Sequence, residues 1–160
     1  MPVIELTTSI RAPIERVFDL ARSIDAHTAS ASQSKEKAVA GRISGLMEEN
    51  EMVTWEATHF GIKQKLTVKM TLMNKPKEFE DEMISGAFSK LKHKHTFECQ
   101  EDHTIMSDRL EFEAPLGRLG RLAEKLFLTR YMKSFLLKRN SELKKMAESD
   151  HWEHYLTYHK

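Results

Sequence analysis

The spacing of apolar residues changes twice along this 160-residue chain, and these changes limit the folds open to it. From Val39 to Phe112 apolar and polar side chains alternate, which indicates strands with one buried face. The breaks between these segments are short, whereas a parallel crossover needs about a dozen residues or more, so neighbouring strands are expected to run antiparallel. The six predicted strands are Val39–Ser44, Met52–Phe60, Ile62–Met73, Phe79–Ile84, Leu91–Cys99 and Thr104–Phe112.

The residues before this meander predict one more strand and two short helices. Val3–Arg11 alternate in the same way and predict a strand. Pro13 suits the first turn of a helix, where its missing N–H leaves no bond unmade, and this helix is expected to end near Arg22. Asp25 is expected to cap a second short helix over Ala26–Ser34.

A long helix is predicted from Leu116 to Ala147, because the period becomes helical after Pro115 and no further proline occurs. Together with the meander it predicts an α+β domain in which the helix covers one sheet face. Its predicted apolar face consists of Leu119, Leu122, Leu126, Phe127, Tyr131, Phe135 and Leu136.

The same helix carries nine basic residues, which are Arg118, Arg121, Lys125, Arg130, Lys133, Lys138, Arg139, Lys144 and Lys145. We interpret them as a solvated surface, with an anionic partner or membrane as the alternative. No binding to acidic vesicles is expected, because the core needs the apolar side of this helix.

Composition excludes several classes of protein. The 25 Lys and Arg residues nearly balance the 24 Asp and Glu residues, so a net charge of +1 gives no global reason to bind nucleic acid. Cys99 is the only cysteine, which excludes an intrachain disulfide framework and a cysteine-rich zinc site. No apolar run is long enough to cross a bilayer, so no stable membrane insertion is expected. Residues 1–10 lack the features of a secretory signal, and the expected location is therefore the cytoplasm.

Strand alternation places five ionisable side chains on otherwise apolar inward faces, namely His59, Asp81, His93, His95 and Asp108. Burying an unpaired charge costs several kcal/mol, so these groups must pair, meet water or contact a ligand. Three interpretations stay open: a satisfied internal network, a polar patch that orients a ligand, and a catalytic acid–base pair with His95 and Asp108 as candidates.

A metal site on His93 and His95, completed by His59 or Asp108, is a fourth arrangement for these groups. Period-two alternation alone produces the His-x-His spacing, however, so the spacing carries little information. No metal is therefore predicted.

The connection between the last two strands determines which of these side chains meet. If the hairpin closes within Gln100–His103, His95 lies opposite Asp108 and His93 lies opposite Leu110. Cross-strand Cβ atoms are about 5 Å apart, so a hydrogen bond between His95 and Asp108 is within reach. We expect the carboxylate to outweigh burial and to raise the pKa of His95.

Several motifs, together with the order of elements, resemble those of a known family. The motifs are Ile10-Arg11-Ala12-Pro13-Ile14-Glu15-Arg16-Val17-Phe18-Asp19-Leu20, Trp55-x-x-x-His59-x-Gly61, Phe79-x-Asp81-Glu82, His93-x-His95-x-Phe97, Asp108 and Pro115-Leu116-Gly117-x-Leu119-Gly120. Over residues 3–147 the chain resembles the START-related SRPBCC superfamily, which includes polyketide cyclase/dehydrase-like and birch-pollen-allergen-like proteins. The resemblance implies a helix-grip fold, in which a curved sheet wraps around the long helix and encloses a cavity for an apolar small molecule.

We therefore expect a ligand-binding domain over residues 1–148, followed by a tail over residues 149–160. The expected function is binding of a small hydrophobic or amphipathic molecule, lipid-like or polyketide-like, in an internal cavity of a few hundred Å³ and without a cofactor. The alternative is a cyclase-, dehydratase- or hydrolase-type enzyme that uses the inward His and Asp residues. The residues expected to bind the ligand are Trp55, His59, Gln64, Leu66, Val68, Phe79, Asp81, Met83, His93, His95, Phe97, Met106 and Asp108.

Two sets of residues in the tail have different expected roles. His151, His154 and His159 are interpreted as a mobile polar end, whereas Trp152, Tyr155 and Leu156 can dock on the domain or on a partner chain. A homodimer stays open, as does a third interpretation of the chain as an interaction module that uses its tail and basic helix.

Overall fold

The computed structural model describes residues 1–156, in which seven strands form one curved antiparallel sheet. The strands are β1 Val3–Ile10, β2 Lys37–Gly41, β3 Met52–His59, β4 Ile62–Asn74, β5 Glu78–Ser85, β6 Lys90–Gln100 and β7 His103–Glu113. Their order across the sheet is β1-β7-β6-β5-β4-β3-β2. The predicted meander is therefore confirmed, and the first strand closes it by pairing with the last.

The helices lie in two groups, two of them between β1 and β2 and the others after β7. They are α1 Ile14–Ala21, α2 Ile24–Ser30, α3 Gly117–Ala123, α4 Thr129–Glu148 and α5 Trp152–Tyr155. A 3-10 turn over Ser32–Ser34 follows α2. A π-helical segment over Glu124–Leu128 joins α3 to α4 without a break, so the predicted long helix exists but is not α-helical throughout.

Two element boundaries differ from the sequence prediction for local reasons. The α2 helix begins at Ile24 because Ser23, not Asp25, is its cap: the Ser23 hydroxyl accepts a hydrogen bond from the Ala26 amide at 3.1 Å. Asp25 instead accepts from the amide of Gly45 at 3.0 Å. Strand β2 ends at Gly41, three residues earlier than predicted, where φ is +74° and a Cβ atom would lie 2.2 Å from a backbone oxygen.

A bulge in β4 reverses the predicted alternation near the end of that strand. The pairing with β5 shifts between Met70 and Leu72, so Met73 lies opposite Phe79 and packs against the core. The alternation in the sequence predicts that Met70 and Leu72 both face inward. This is correct for Met70, but after the bulge Met73 takes the inward position in place of Leu72. One extra residue in a strand moves every later side chain to the other face.

The main core lies between α1, the C-terminal half of α4 and the sheet. Phe18 of α1 is buried against the sheet, with its ring edge to face on Phe79 at 5.4 Å and on Phe97 at 5.2 Å. Leu143 and Met146 of α4 complete this cluster. A second, smaller cluster surrounds Ile4, Leu91, Leu110, Phe112 and Leu136.

The chain returns to this core after α4. Leu156 is buried, and Trp152 and Tyr155 pack against the main cluster. The guanidinium of Arg16 lies 4.2 Å from the Trp152 ring centroid. These three residues therefore dock on the domain, which is one of the two roles expected for them. His151 and His154 are exposed. His159 lies outside the described residues, and no helix among the described residues is long and apolar enough to cross a membrane.

The N-terminal part of the long helix is exposed, contrary to our prediction. Its apolar residues have exposed fractions between 50% and 76%, and they are Leu116, Leu119, Leu122, Leu126 and Phe127. The reason is that α4 packs against β1, α1 and α2, whereas α3 packs mainly on the π-helical segment that continues it. The core uses the apolar side of this helix only in its C-terminal half.

Candidate functional site

An internal cavity of about 140 Å³ lies between the sheet, α2 and α4. It is smaller than the few hundred Å³ expected, because side chains of α4 reach into the space above the sheet. Its apolar wall includes Val53, Trp55, Leu66, Val68, Met70, Phe79, Leu91, Leu110, Met132, Phe135 and Leu136. Its polar wall consists of Arg22, Ser23, His27, Glu36, Asp81, His93, His95 and Arg139.

The residues that sequence reasoning assigned to the ligand site fall into three groups. Those that line the cavity are Trp55, Leu66, Val68, Phe79, Asp81, His93 and His95. His59 and Gln64 line a separate recess of about 50 Å³ on the β3–β4 side. The others, Met83, Phe97, Met106 and Asp108, do not line this cavity, and their assignment to the ligand site stays a prediction.

Each of the four is held elsewhere for a structural reason. Phe97 is sealed beneath the ring of Phe18, in the main cluster that also contains the buried Met106. Met83 packs with the smaller cluster around Leu91. Asp108 lies behind the two inward histidines, where its carboxylate oxygens are hydrogen-bonded to His93 and Asn140.

Asp108 is the centre of a buried polar cluster. As predicted, His95 lies opposite Asp108 in the β6–β7 register. Asp108 Oδ1 lies 3.0 Å from His93 Nε2, with which it is hydrogen-bonded, and 2.9 Å from His95 Nδ1, whose N–H is poorly aligned for a regular hydrogen bond. Asn140 of α4 donates to the other oxygen, Oδ2, at 2.6 Å. The bond from His93 to Asp108 is a diagonal contact, because the register places His93 opposite Leu110.

The cluster faces the cavity through Asp81 and the two histidines. Asp81 on β5 lies opposite His93, and its Oδ2 is 3.6 Å from His95 Nε2. The rings of His93 and His95 are 3.8 Å apart. One imidazole thus stands between two carboxylates and beside a second imidazole.

Burial and these contacts shift the pKa values of the two histidines in opposite directions. Burial lowers the pKa of His95, but the neighbouring Asp108 and Asp81 carboxylates outweigh it, so this pKa is raised, as predicted. Burial and the adjacent charge of His95 lower the pKa of His93 in spite of its bond to Asp108. Burial would raise the pKa of Asp108, yet its two histidine partners hold it well below the usual range. At neutral pH, His95 is the imidazole favoured to carry the proton.

Arg139 is the site residue that sequence reasoning missed. Its guanidinium is on the cavity wall and the residue is only 4% exposed, although we had counted it among the solvated basic residues of the helix. Its Nε has no hydrogen-bond partner, and no carboxylate of residues 1–156 lies within ion-pair distance. The helical period carries the signal, because Arg139 follows Leu136 by three residues and precedes Leu143 by four.

Two further pairs complete the polar surroundings. The Glu36 carboxylate, also missed from the sequence, bonds His27 Nε2 at 2.8 Å, and this partner lowers its pKa against the effect of burial. The His27 ring lies over Trp55, with centroids 4.3 Å apart. His59 Nδ1 is 2.5 Å from the Tyr131 hydroxyl, and burial lowers its pKa.

A metal could be held by Asp81, His93 and His95, whose ligand atoms lie within 4.8 Å of one another. This is a different set from the one considered from the sequence, because His59 bonds Tyr131 and Asp108 is taken up by His93, His95 and Asn140. Metal binding requires neutral imidazoles, so the raised pKa of His95 opposes it.

Solved structures share this fold, although no protein-family model and no curated protein matches the chain. TTHA0849 from Thermus thermophilus superposes with a TM-score of 0.75 at 19% identity, over 91% of this chain and 97% of its own. A START superfamily protein from Mycobacterium smegmatis gives 0.69 at 14% identity over 90% and 98% of the two chains. Ara h 8.0201 gives 0.64 at 11% identity over 91% and 97%. At these identities the likeness is one of fold, and this chain has the helix-grip fold of START-related proteins.

Proposed function

We propose that this protein binds a small amphipathic molecule in the cavity between its sheet and its long helix. One observation carries the proposal: a continuous apolar wall meets buried ionisable groups inside a single cavity. Ligand sites combine apolar surface, which supplies affinity, with a few polar groups, which fix orientation. The fold likeness supports this reading because a helix-grip sheet leaves room above its concave face.

An acid–base enzyme is the second candidate, and the placement of His95 favours it. Asp108 lies beside one ring nitrogen of His95, while the other nitrogen points toward Asp81 at the cavity wall. A carboxylate-oriented imidazole at a cavity surface can transfer a proton to or from a bound molecule. Reactions of the cyclase, dehydratase or hydrolase type need such a group.

Native mass spectrometry of the protein purified from its own host tests the binding proposal. We expect an additional mass that is lost on denaturation. Val68→Phe fills the cavity and should abolish the additional mass, whereas Val39→Phe, at an exposed strand position, should retain it. Equal retention by both variants would place the molecule outside the cavity and refute the proposal.

The retained molecule also separates the two candidates. If the protein is a binder, His95→Gln should retain an unchanged molecule. If it is an enzyme, wild type should release an altered product when given that molecule, and His95→Gln should bind it without altering it.

A further inference from the structure

Arg139 differs from the other buried arginine of the cavity wall. Arg22 is 7% exposed, and its guanidinium bonds Asp19, Glu48 and the carbonyl of Met47. Arg139 is 4% exposed and has no ion pair with any residue between 1 and 156. Buried charges in proteins are ordinarily paired, because leaving one unpaired costs several kcal/mol. Within residues 1–156, the buried guanidinium of Arg139 has no counter-ion at ion-pair distance.

The charges around Arg139 do not supply that partner. Asp108 is taken up by His93, His95 and Asn140, and Glu36 is taken up by His27. Asp81 and Glu36 both interact with Arg139 electrostatically, but neither carboxylate lies within ion-pair distance of its guanidinium. The planar guanidinium offers a fork of N–H donors that matches the two oxygens of a carboxylate.

The size of the cavity limits what can bring that carboxylate. A cavity of about 150 Å³ accommodates one benzene ring, and the cavity here measures about 140 Å³. Its wall includes the rings of Trp55, Phe79 and Phe135. Aromatic walls favour an aromatic guest through edge-to-face and offset stacking.

We propose that the cavity binds a one-ring aromatic carboxylate whose anionic group pairs with Arg139. This inference rests on the proposed binding function and specifies the class of its ligand. The ring lies against the aromatic wall, and the carboxylate supplies the ion-pair partner that residues 1–156 do not provide.

Isothermal titration with benzoate, benzamide and phenyl phosphate tests this proposal. Benzoate and benzamide have nearly the same shape and differ in charge, so we expect benzoate to bind at least about tenfold more tightly. Phenyl phosphate should bind less well than benzoate, because its tetrahedral group is larger than the planar carboxylate. Tighter binding of phenyl phosphate would overturn the carboxylate assignment.

Variants of Arg139 separate this proposal from the proposed function. Arg139→Met should lose the preference for benzoate and keep benzamide binding, Arg139→Lys should keep part of the preference, and Lys138→Met, at an exposed neighbour, should change nothing. An unchanged preference in Arg139→Met would overturn the role of Arg139 and leave cavity binding intact. If benzoate and benzamide both fail to bind wild type and native mass spectrometry finds no retained molecule, the proposed function itself fails.

A second inference concerns the exposed part of the long helix and rests on different observations. We define the apolar stripe as Leu116, Leu119, Leu122, Leu126 and Phe127, all of them at least half exposed. Phe60 of the β3–β4 turn extends it, with its ring 5.8 Å from Phe127. A contiguous exposed apolar surface of this kind marks an interaction site.

The charges beside the apolar stripe are all positive. Arg118, Arg121, Lys125 and Arg130 are exposed, and the ion pairs of this helix within residues 1–156 involve only Lys144 and Lys145, near its end. Glu124 is the single acidic residue of this segment, but it is buried and accepts from the amide of Ala114 at 2.6 Å. A second copy of the chain would bring like charges together around a symmetry axis, whereas an anionic bilayer neutralises them.

We infer that the apolar stripe docks the protein on an anionic membrane surface, with its leucines entering the lipid interface and its basic residues contacting the headgroups. This replaces our expectation from the sequence, whose premise was that the core needs these leucines. Interfacial helices combine apolar burial with attraction to anionic lipid in this way.

Vesicle sedimentation tests this second inference. We expect binding to phosphatidylcholine vesicles that contain phosphatidylserine, weakening as salt is added, and much weaker binding to phosphatidylcholine alone. Leu122→Ser with Leu126→Ser, and separately Arg118→Gln with Arg121→Gln and Lys125→Gln, should abolish binding. The control of equal charge, Arg11→Gln with Lys77→Gln and Lys145→Gln, should bind like wild type, because these exposed residues lie near Glu148, near Phe97 and at the C-terminal end of α4, away from the apolar stripe. Absence of vesicle binding together with a dimer that the leucine variant disrupts would overturn the inference in favour of a second copy.

Discussion

Single residues determine the electrostatics of the cavity, and Asp108 has the largest effect. It touches His93, His95 and Asn140 at once, so its charge sets the protonation of both rings. We expect Asp108→Asn to lower the pKa of His95, because the strongest group favouring the imidazolium is neutralised. An NMR titration of the His95 ring measures this change. Asp102→Asn, which acts on the exposed His103, is the control, and an unchanged His95 titration in Asp108→Asn would contradict the assignment.

The same substitution has a defined effect on the pH dependence of stability. The pKa of Asp108 lies well below its ordinary value of 3.8. The ionised carboxylate therefore contributes to the free energy of unfolding above pH 3.8, and this contribution is lost as pH falls through the lowered pKa. The pKa of His95 lies above 6.5. The His95 imidazolium therefore contributes to the free energy of unfolding below pH 6.5, and this contribution is lost as pH rises through the raised pKa. The difference in unfolding free energy between wild type and Asp108→Asn should therefore be largest between these two values. A difference that does not vary with pH in urea titrations would contradict this coupling.

The two buried arginines predict opposite effects on stability. Arg139→Met removes a buried charge that has no ion pair within residues 1–156, and we expect it to raise the free energy of unfolding by about 1 kcal/mol. Arg22→Met removes the ion pairs with Asp19 and Glu48 and the hydrogen bond to the Met47 carbonyl, and it should lower the free energy of unfolding by about 2 to 4 kcal/mol. Urea unfolding measures both variants. A loss of stability in Arg139→Met would mean that the protein itself satisfies this charge.

At the scale of elements, alternation and helical period predict the strands and the long helix. They do not predict local irregularities of the backbone. Alternation identifies the meander strands because one face of each packs on the core, except in β2, where only Ala38 is partly buried against it. It does not show the bulge near Leu72, since one extra residue leaves the composition of the strand unchanged. The end of β2 at Gly41 depends on close approach to β3, which is a tertiary contact.

The π-helical segment is a further local event, and Glu124 holds it in place. Its carboxylate accepts from the buried amide of Ala114, and the Thr129 hydroxyl donates to its carbonyl at 2.9 Å. Glu124→Ala leaves that amide without a partner and should lower the unfolding free energy by about 1 to 3 kcal/mol. Glu98→Ala, at an exposed strand position, is the control for chemical denaturation. Equal effects of the two substitutions would show that the bond to Ala114 contributes nothing.

At the scale of the whole molecule, the returning chain end is part of the fold. Leu156 is buried in the main cluster, although it lies far along the chain from α1 and the strands that contribute to that cluster. Leu156→Ala should cost about 2 to 5 kcal/mol, as expected for truncation of a core leucine, whereas Leu137→Ala, which is half exposed, should cost far less. Thermal unfolding compares the two. A small effect at Leu156 would show that this end is dispensable.

The candidate site is less predictable from the sequence than the fold, because it depends on how far each element extends over the sheet. Strand period and hairpin length are enough to bring His95 and Asp108 together. They do not predict that Phe18 packs on Phe97, or that α4 covers the sheet whereas α3 does not. Arg139 enters the cavity for this last reason.

Most apolar residues of the cavity wall also belong to the hydrophobic clusters, and this has a consequence for how the molecule can change. Phe135 faces the cavity but belongs to neither hydrophobic cluster, so its volume can vary without disturbing the contacts that hold α1 and α4 on the sheet. A substitution at Phe135 can thus alter the size of the accepted guest, whereas a substitution at most other apolar wall residues also alters a hydrophobic cluster. This one helical position is therefore the natural starting point for redesigning the pocket of this protein.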